Sequence, residues 1–382
     1  MPGSLGTQFV NQGFQVYAQP IIGKRLETNL YAKSVLISMI VHNAMIKEND
    51  GTTIGRPQVP AVVRGSIIQE PFRQALGGIE SYKPVMQLSK VNGGKWMGGR
   101  DTMPALTSTN TQDKVFGASE FRWSRYVQPI LISETALQRA KNHGANQEVA
   151  GAAVLNIVNN SIDIAMNDMW DVLSQAFWTG SPTSQDSDPW DNPAGLNLAL
   201  TSGTGIYGRI DRTNSANAVW NSNVVTTATN AVFEDIIDQA ILDPTHGLGI
   251  YGEGVDLVLT TPSIFKAFKA EARAKGPVTA EIVNGHDLPL IGKLGFENQL
   301  IRYDDTYITY DPFCPANSVY CLNLRHFTFI PSVDKDFKVA PLIYLPDYSQ
   351  GALDAYASNI DSQFIFACEN PGRQWLFNNV VV

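Results

Sequence analysis

The sequence predicts an α+β fold, and three features carry that prediction. A strand–glycine–strand hairpin spans Ser81 to Ile132, and a one-sided helix runs from Gln147 to Trp178. Beyond a Pro-, Ser- and Asp-rich segment, short helices and strands alternate without a long parallel series. The hairpin is the feature from which a lone chain gains least. An isolated two-stranded hairpin is marginal in water. This one displays Trp96, Met97, Phe116 and Trp123 along a polar, glycine-rich arm, which invites edge-to-edge aggregation. Laid across a neighbouring copy, the same arm becomes an interface. Self-assembly is therefore the first functional expectation.

Residues 1–28 are mostly Gly, Gln, Asn and Thr with scattered Phe and Tyr, an arm-like composition with too little apolar surface for its own core. A neighbouring subunit is the expected support. A helical run follows at Leu30–Ile46, with Leu36, Ile37, Ile40, Val41 and Ala44 on one stripe. A second fits Ser66–Leu76 and is closed by Gly77-Gly78. In the hairpin, Val85, Gln87 and Ser89 lead in. Gly93-Gly94 and Gly98-Gly99 break the middle, and Phe121, Trp123, Tyr126, Val127, Ile130 and Ile132 lead out.

The strongest periodic signal comes next. Leu155, Val158, Ile162, Ala165, Met169, Leu173 and Ala176 step by three and four, opposite Asn156, Asn160, Asp163, Asn167, Asp171 and Gln175. Asn146 fits an N-cap and Gly180 a C-terminal stop. At 1.5 Å per residue such a helix is roughly 45–50 Å long. A stripe of that length needs an extended partner, and a small sheet along it would serve.

The segment SPTSQDSDPWDNPAG is predicted to be a linker between two regions. Beyond it, Ala231–Leu242 reads as a helix, Val255–Leu259 as a strand and Pro262–Lys275 as a helix with Ile264, Phe265, Phe268 and Ala272 on one face. Strand-like runs follow at Gln299–Tyr303, Ser318–Asn323, His326–Ile330, Gln363–Cys368 and Trp375–Val382.

Composition narrows the function classes. The chain has 382 residues, 44% of them hydrophobic, and a formal net charge of −8. No stretch approaches the ~20 apolar residues of a membrane helix, and MPGSLGTQFVNQGF lacks the basic-then-apolar order of a secretory signal. Acidic balance argues against broad nucleic-acid binding but allows nucleic acid to be enclosed without adhesion. Cys314, Cys321 and Cys368 are odd in number and fit no zinc spacing, so buried free thiols are expected.

Motifs for chemistry fail on context. Gly93-Gly94-Lys95-Trp96-Met97-Gly98-Gly99 lacks the phosphate-loop order and a following helix. Gly252-Glu253-Gly254 precedes a strand instead of following one. Asp186, Asp188 and Asp191 are interrupted by Pro189 and Trp190, with no glutamate at the twelfth position of a calcium loop. His42, His143, His246, His286 and His326 show no metal spacing and no accompanying GxSxG elbow. Asp304-Asp305 and Asp334/Asp336 sit in turn-like contexts, where solvated carboxylates outweigh an acid–base pair. No catalytic residue, metal or cofactor is expected.

Six stretches, in order, resemble the major capsid proteins of tailed bacteriophages, the Hong Kong 97-like (HK97-like) fold. They are KWMGGRDTMPALTSTNTQDKVFGASEFRWSRYVQPILIS (95–133), AFWTGSPTSQDSDPWDNPAGLNLAL (176–200), GIYGRIDRTNSANAVW (205–220), DLVLTTPSIFKAF (256–268), YDPFCPANSVYCLNLRHFTFIP (310–331) and FACENPGRQWLF (366–377). The resemblance covers about residues 80–380. Residues 1–78 are longer and more polar than that pattern, and residues 335–356 do not match it. The resemblance implies an N-arm with N-terminal helices over 1–78 and an extended E-loop hairpin over 79–132. It implies a P-domain with a long spine helix over 133–191, an A-domain over 192–320, and a return to a narrow antiparallel P-domain sheet over 321–382.

Functionally, the resemblance implies a non-enzymatic shell protein that assembles with itself as hexamers and pentamers around double-stranded DNA in a virion, built in the host cytoplasm. Scaffolding, portal and decoration proteins are the implied partners. DNA is enclosed without sequence-specific binding, and no membrane is involved. Lys95, Trp96, Arg100, Asp101, Phe116 and Trp123 are the candidate inter-subunit contacts. Leu155, Val158, Ile162, Met169 and Leu173 are the candidate core of the spine. Arg100, beyond Gly98-Gly99, can fork onto a neighbour's carboxylate or carbonyls, and Asp101 can cap a turn before Thr102. Lys90 and Lys95 near the tip read as solubilising charges ahead of any lysine–asparagine cross-link. Two rivals stand beside the phage shell. One is an encapsulin compartment of the same fold, holding protein cargo. The other is a small-oligomer sugar-binding protein or carbohydrate-active enzyme using Trp190, Asp191 and Trp220.

Overall fold

The structure is a computed structural model. It describes residues 34–36, 81–87, 116–143, 147–182, 192–201, 205–214, 217, 220–226, 233–242, 255, 257–274, 301–303, 306–332, 335, 338–341, 343–345 and 355–380. In chain order the first elements are strands β1 (Ser81–Tyr82), β2 (Val85–Gln87), β3 (Phe116–Ala118), β4 (Phe121–Arg122) and β5 (Ser124–Ser133). Helices α1 (Glu134–His143), α2 (Gln147–Thr179) and α3 (Leu196–Leu200) follow. Then come β6 (Ile206–Tyr207), β7 (Ile210–Asp211), β8 (Asn223–Thr226), α4 (Phe233–Leu242), β9 (Leu257–Thr260), α5 (Pro262–Ala274), β10 (Ile301–Tyr303) and β11 (Thr306–Tyr310). The chain finishes with β12 (Ser318–Leu322), β13 (Phe327–Pro331), β14 (Lys338–Val339), β15 (Ile343–Leu345), β16 (Ala355–Cys368) and β17 (Trp375–Asn378). Helix and strand are mixed, with both parallel and antiparallel pairings, as the α+β prediction requires.

β16 is the axis of a narrow antiparallel sheet. One edge pairs with β5 from Ala355↔Ser133 to Phe364↔Ser124. The other edge is shared end to end by β15, β14 and β13. Three strands abreast make a strip about as wide as one helix, and α2 lies on it. Alternation sets the faces. Ile130, Ile132, Tyr356, Ile360, Phe364 and Phe366 are buried, while Arg125, Val127, Leu131 and Ser133 point outward. Near its end α2 inserts Phe177 among Phe329, Phe364 and Phe366, with ring centroids 4.8–6.0 Å apart.

The 33 residues of α2 are buried on a wider arc than the predicted stripe. Met166, Trp170, Ser174, Phe177 and Trp178 join Val158, Ile162, Ala165, Met169 and Leu173 inside. The difference has a physical cause. The helix packs on the narrow sheet along its length and on further elements at its C-terminal end. It stops at Gly180, whose amide donates to the Ala176 carbonyl at 2.8 Å. The Gly180 carbonyl then accepts the Gly195 amide, also at 2.8 Å. A Cβ on Gly180 would collide with the carbonyls of Ala176 and Pro193, so only glycine allows this closure. The predicted linker therefore leaves α2 and returns to it. It does not separate two cores, because Leu196, Ala199 and Leu200 beyond it lie in the same apolar cluster as α2.

The second sheet is six-stranded and mixed, in the order β10-β11-β9-β12-β17-β8. β9 and β12 are buried along their whole lengths because both faces are covered. On one face α4 and α5 bring Ile236, Ile237, Ala240, Ile264, Phe265 and Phe268 against Val258, Ile308, Val319, Cys321 and Phe377. On the other face Leu257, Leu259, Tyr307, Tyr320 and Leu322 belong to the core shared with α2.

Two helical predictions fall mostly or wholly outside the described residues. Leu30–Ile46 falls on described residues at 34–36 alone, and Ser66–Leu76 lies outside them. Those three residues dock on the second sheet. Asp311, after β11, accepts hydrogen bonds from the Ser34 hydroxyl at 2.7 Å and the Leu36 amide at 3.2 Å. Burial pushes the Asp311 carboxyl up, against the pull of these bonds.

Candidate assembly surface and the hairpin root

The hairpin prediction is met at its root, where the described residues begin and end. β1 pairs with β4 and β2 with β3, both antiparallel. The Ser119 amide closes the space between the pairs by donating to the Pro84 carbonyl at 3.2 Å. The root rests on a second, tighter hairpin, β6–β7. Its central residues Gly208 and Arg209 have φ of 58° and 62°, the left-handed pair of a two-residue turn that matches strand twist. A Cβ on Gly208 would meet Phe121 and Ser119 at 3.0 Å, so the glycine permits both the turn and the close approach.

Three contacts join the two hairpins, and a fourth ties the root to the end of β16. The Glu120 amide donates to the Gly208 carbonyl at 2.9 Å. Arg209 Nη1 donates to Glu120 Oε2 at 2.9 Å. Phe121 meets Tyr207 edge-on at 5.3 Å. The Tyr82 hydroxyl donates to Glu369 at the end of β16.

Tyr207 is the hub of a buried node that explains the run YGRIDR…W. Its hydroxyl accepts the Cys368 amide at 2.8 Å, and its carbonyl accepts the Trp220 indole N–H at 2.9 Å. Burial pushes the Tyr207 hydroxyl well up, so it stays neutral. The Arg212 guanidinium lies 5.7 Å from the Tyr207 ring centroid. It donates to the carbonyls of Leu198, Ala199 and Thr201, closing the C-terminal end of α3. Burial lowers its proton affinity. Asp211 Oδ1 accepts the amide and hydroxyl of Thr213, which hold its carboxyl below the usual range. The node is structural: the Tyr207 hydroxyl, the Trp220 indole N–H and both terminal nitrogens of Arg212 are committed to backbone partners.

Candidate surfaces for assembly lie elsewhere. On the outer face of the narrow sheet, Leu131 is opposite Ala357, and Ala357 is opposite Ile343. Leu131 is 54% exposed and Ile343 60% exposed, and Val127, four residues before Leu131, lies on the same face. On α2, Ile164 and Val172 are exposed on the side turned from the core, flanking Asp168. At the far end of the sheet Arg125 forks onto Asp361 at 2.9 and 2.6 Å, a diagonal cross-strand pair. The alternation apolar-in, polar-out fails in SRYVQPILIS, where both parities carry aliphatic residues. That is the sequence signal of a strand with two faces to cover.

The sequence-predicted contact residues divide sharply. Lys95, Trp96, Arg100 and Asp101 lie outside the described residues. Phe116 is placed in β3 opposite Gln87. Trp123 needs a correction. It is 6% exposed and packs in its own chain's core, so it is not an arm residue offered to a neighbour. It lies on the same parity as Phe121, two residues before it, and both side chains are buried. Of the predicted helix core, Leu155 lies in α2, and Val158, Ile162, Met169 and Leu173 are buried. Trp220, offered to a sugar ligand in the rival reading, is buried with its indole N–H already bonded, so it presents no stacking face. Trp190 and Asp191 lie outside the described residues, as do the paired carboxylates 304–305 and 334/336. No group of three or more His, Cys, Asp or Glu among the described residues could hold a metal, and no described helix is long and apolar enough to cross a membrane.

No protein-family model matches this chain, and no curated protein matches it in sequence. Solved structures do. The capsid asymmetric unit of cyanophage A-1(L) superposes with a TM-score of 0.52 at 14% identity, over 79% of this chain and 88% of that one. The capsid of a native GTA particle matches with a TM-score of 0.47 at 11% identity, over 80% and 86%. An encapsulin complex from Synechococcus elongatus PCC 7942 matches with a TM-score of 0.44 at 10% identity, over 78% and 82%. The cyanophage match is with a chain of a capsid asymmetric unit, and it spans most of both chains. The chain thus has the phage capsid protein fold, the one its ordered sequence motifs resemble.

Proposed function

We propose that this chain is the major subunit of an icosahedral phage shell, assembled from hexamers and pentamers and enclosing double-stranded DNA. The observation that carries the reading is the fold match to the cyanophage capsid protein over 79% of this chain. The ordered motifs over residues 80–380 support it independently. In this reading α2 is the spine of the P-domain and β5 with β13–β16 its narrow sheet. The six-stranded sheet with α4 and α5 is the core of the A-domain, and β1–β4 are the root of the E-loop. Function is then geometric. Heterologous contacts close into rings, and rings tile a closed lattice. Each contact can be weak, because many act together at high effective concentration. The net charge of −8 suits a wall that must not adhere to its genome.

Expression of the chain, alone and with scaffolding and portal proteins, followed by electron microscopy, tests this. Closed particles of uniform size are expected, with nuclease-protected DNA in particles from infected cells. A monomer or small oligomer under all these conditions would overturn it. Uniform particles filled with protein cargo instead of DNA would establish the compartment reading.

A further inference from the structure

We propose that Glu120 is a charge latch. Its carboxylate fastens the hairpin root to the Tyr207–Ile210 turn, and loss or screening of that charge loosens the root while the core stays folded. Three cations converge on this one side chain from three elements. Arg209 Nη1 comes from the β6–β7 turn at 2.9 Å, Lys83 Nζ from the β1–β2 connection at 3.6 Å, and Arg122 Nε from β4 at 3.6 Å. The Ser81 hydroxyl adds a hydrogen bond from β1. These are the charged and titratable groups that face Glu120 among the described residues.

Removing the carboxylate does more than delete three attractions. It leaves Lys83, Arg122 and Arg209 facing one another across the joint, and their repulsion drives the two hairpins apart. The backbone around the latch is poorly secured by other means. β1 and β4 are two residues each. The remaining ties are the hydrogen bond from the Glu120 amide to the Gly208 carbonyl, the Phe121–Tyr207 contact and the Tyr82–Glu369 hydrogen bond. The α2 core, by contrast, is apolar and indifferent to charge.

The sign follows from the surroundings. Burial works to raise the Glu120 carboxyl, but Arg209, Lys83, the Ser81 hydroxyl and Arg122 together hold it below the usual range. A carboxyl lowered in the folded state adds stability above its unfolded value of about 4.3 and loses it as pH falls through the lower folded value. Surface-proximal pairs are also screened by salt. The latch is thus closed at neutral pH and low salt, and it opens on acidification or in high salt. It holds for the isolated chain and does not depend on the assembly reading.

Hydrogen exchange on the full chain tests it, with rates corrected for the intrinsic effect of pH. The reporters are the amides of Glu120 and Arg122, against amides of α2 as the internal reference. Between neutral pH and about pH 3, root protection should fall about fivefold relative to α2, the scale of two or three partly exposed pairs acting together. Glu120→Gln should show the lowered protection already at neutral pH, with no further relative fall in acid. The proposal is overturned if root and α2 lose protection in step, or if Glu120→Gln keeps the wild-type pH response. Should Glu120→Gln fail to fold, Lys83→Gln replaces it, since Lys83 is 59% exposed and tolerates change. It should reduce the salt dependence of root protection, and an unchanged salt dependence overturns the latch.

Discussion

Trp178 meets Tyr320 edge-on, with ring centroids 5.0 Å apart and planes 72° from parallel. Its neighbour Phe177 stacks on Phe364 at 5.3 Å. Successive helix positions lie about 100° apart around the axis. One residue therefore faces the six-stranded sheet and the next faces the narrow sheet. The C-terminal end of α2 is the wedge that joins the two sheets into one core.

Phe177→Ala should therefore be severe. The ring touches Phe329, Phe364 and Phe366, three aromatic rings on two strands that cannot easily collapse into the space it leaves. The expected cost is about 3–5 kcal/mol. Urea denaturation followed by far-UV circular dichroism measures it. A loss below about 1 kcal/mol would mean that the end of α2 is not fixed by this cluster.

The long helix was legible because its three-and-four stepping survives over about six turns, from Leu155 to Ala176. β9, β12, β13 and β17 were legible as short apolar runs, and α4 and α5 as one-sided helices. Other elements were hidden for physical reasons. The first half of β16, AYASNIDSQ, faces the helix with Tyr356, Ser358 and Ile360 and carries Ala357, Asn359 and Asp361 on its other face, so it lacks a clean apolar signal. Helix α1, ETALQRAKNH, buries Leu137 and otherwise reads as mostly polar. Trp123 misled because an aromatic beside a glycine-rich arm looks exposed, whereas it lies on the buried parity of Phe121 in β4. The Glu120 cluster had no linear signature: its partners lie at positions 83, 122 and 209 and meet only in the fold.

The two sides of α2 should respond oppositely to the same substitution. Ile162→Asp buries an unpaired carboxylate at a fully inaccessible site, at a cost of several kcal/mol, and should yield insoluble or unfolded protein. Ile164→Asp, two residues on, changes a side chain that is 62% exposed. Its thermal midpoint should match wild type, as surface changes usually stay within about 0.5 kcal/mol. Soluble, folded Ile162→Asp protein would contradict the one-faced packing of the helix.

The thiols offer a test of the core without mutation. Cys314, Cys321 and Cys368 are free and buried. Burial pushes all three thiols up, so thiolate is scarce at any ordinary pH. The native protein at pH 8 should be inert to a thiol reagent over the time in which all 3 cysteines react in denaturant. Fast reaction of one thiol in the native state would locate a locally open region beside that cysteine.

The outer face of the narrow sheet gives the decisive prediction for assembly. Leu131, Ala357 and Ile343 form one cross-strand row, and the two aliphatic ends of that row are more than half exposed. A monomer gains nothing from such a row, whereas a shell subunit can bury it against a neighbour. Leu131→Asp combined with Ile343→Asp adds two like charges to that face without touching the buried side of the sheet. Thermal unfolding of the unassembled subunit should remain within about 0.5 kcal/mol of wild type. The yield of closed particles should fall by an order of magnitude or more, because a small loss per contact is multiplied over every subunit in the lattice. Sedimentation and electron microscopy read the yield directly. Full particle yield with the doubly charged face would show that this surface stays open to solvent in the shell, and the contacts would then have to be sought along the exposed side of α2, at Ile164 and Val172.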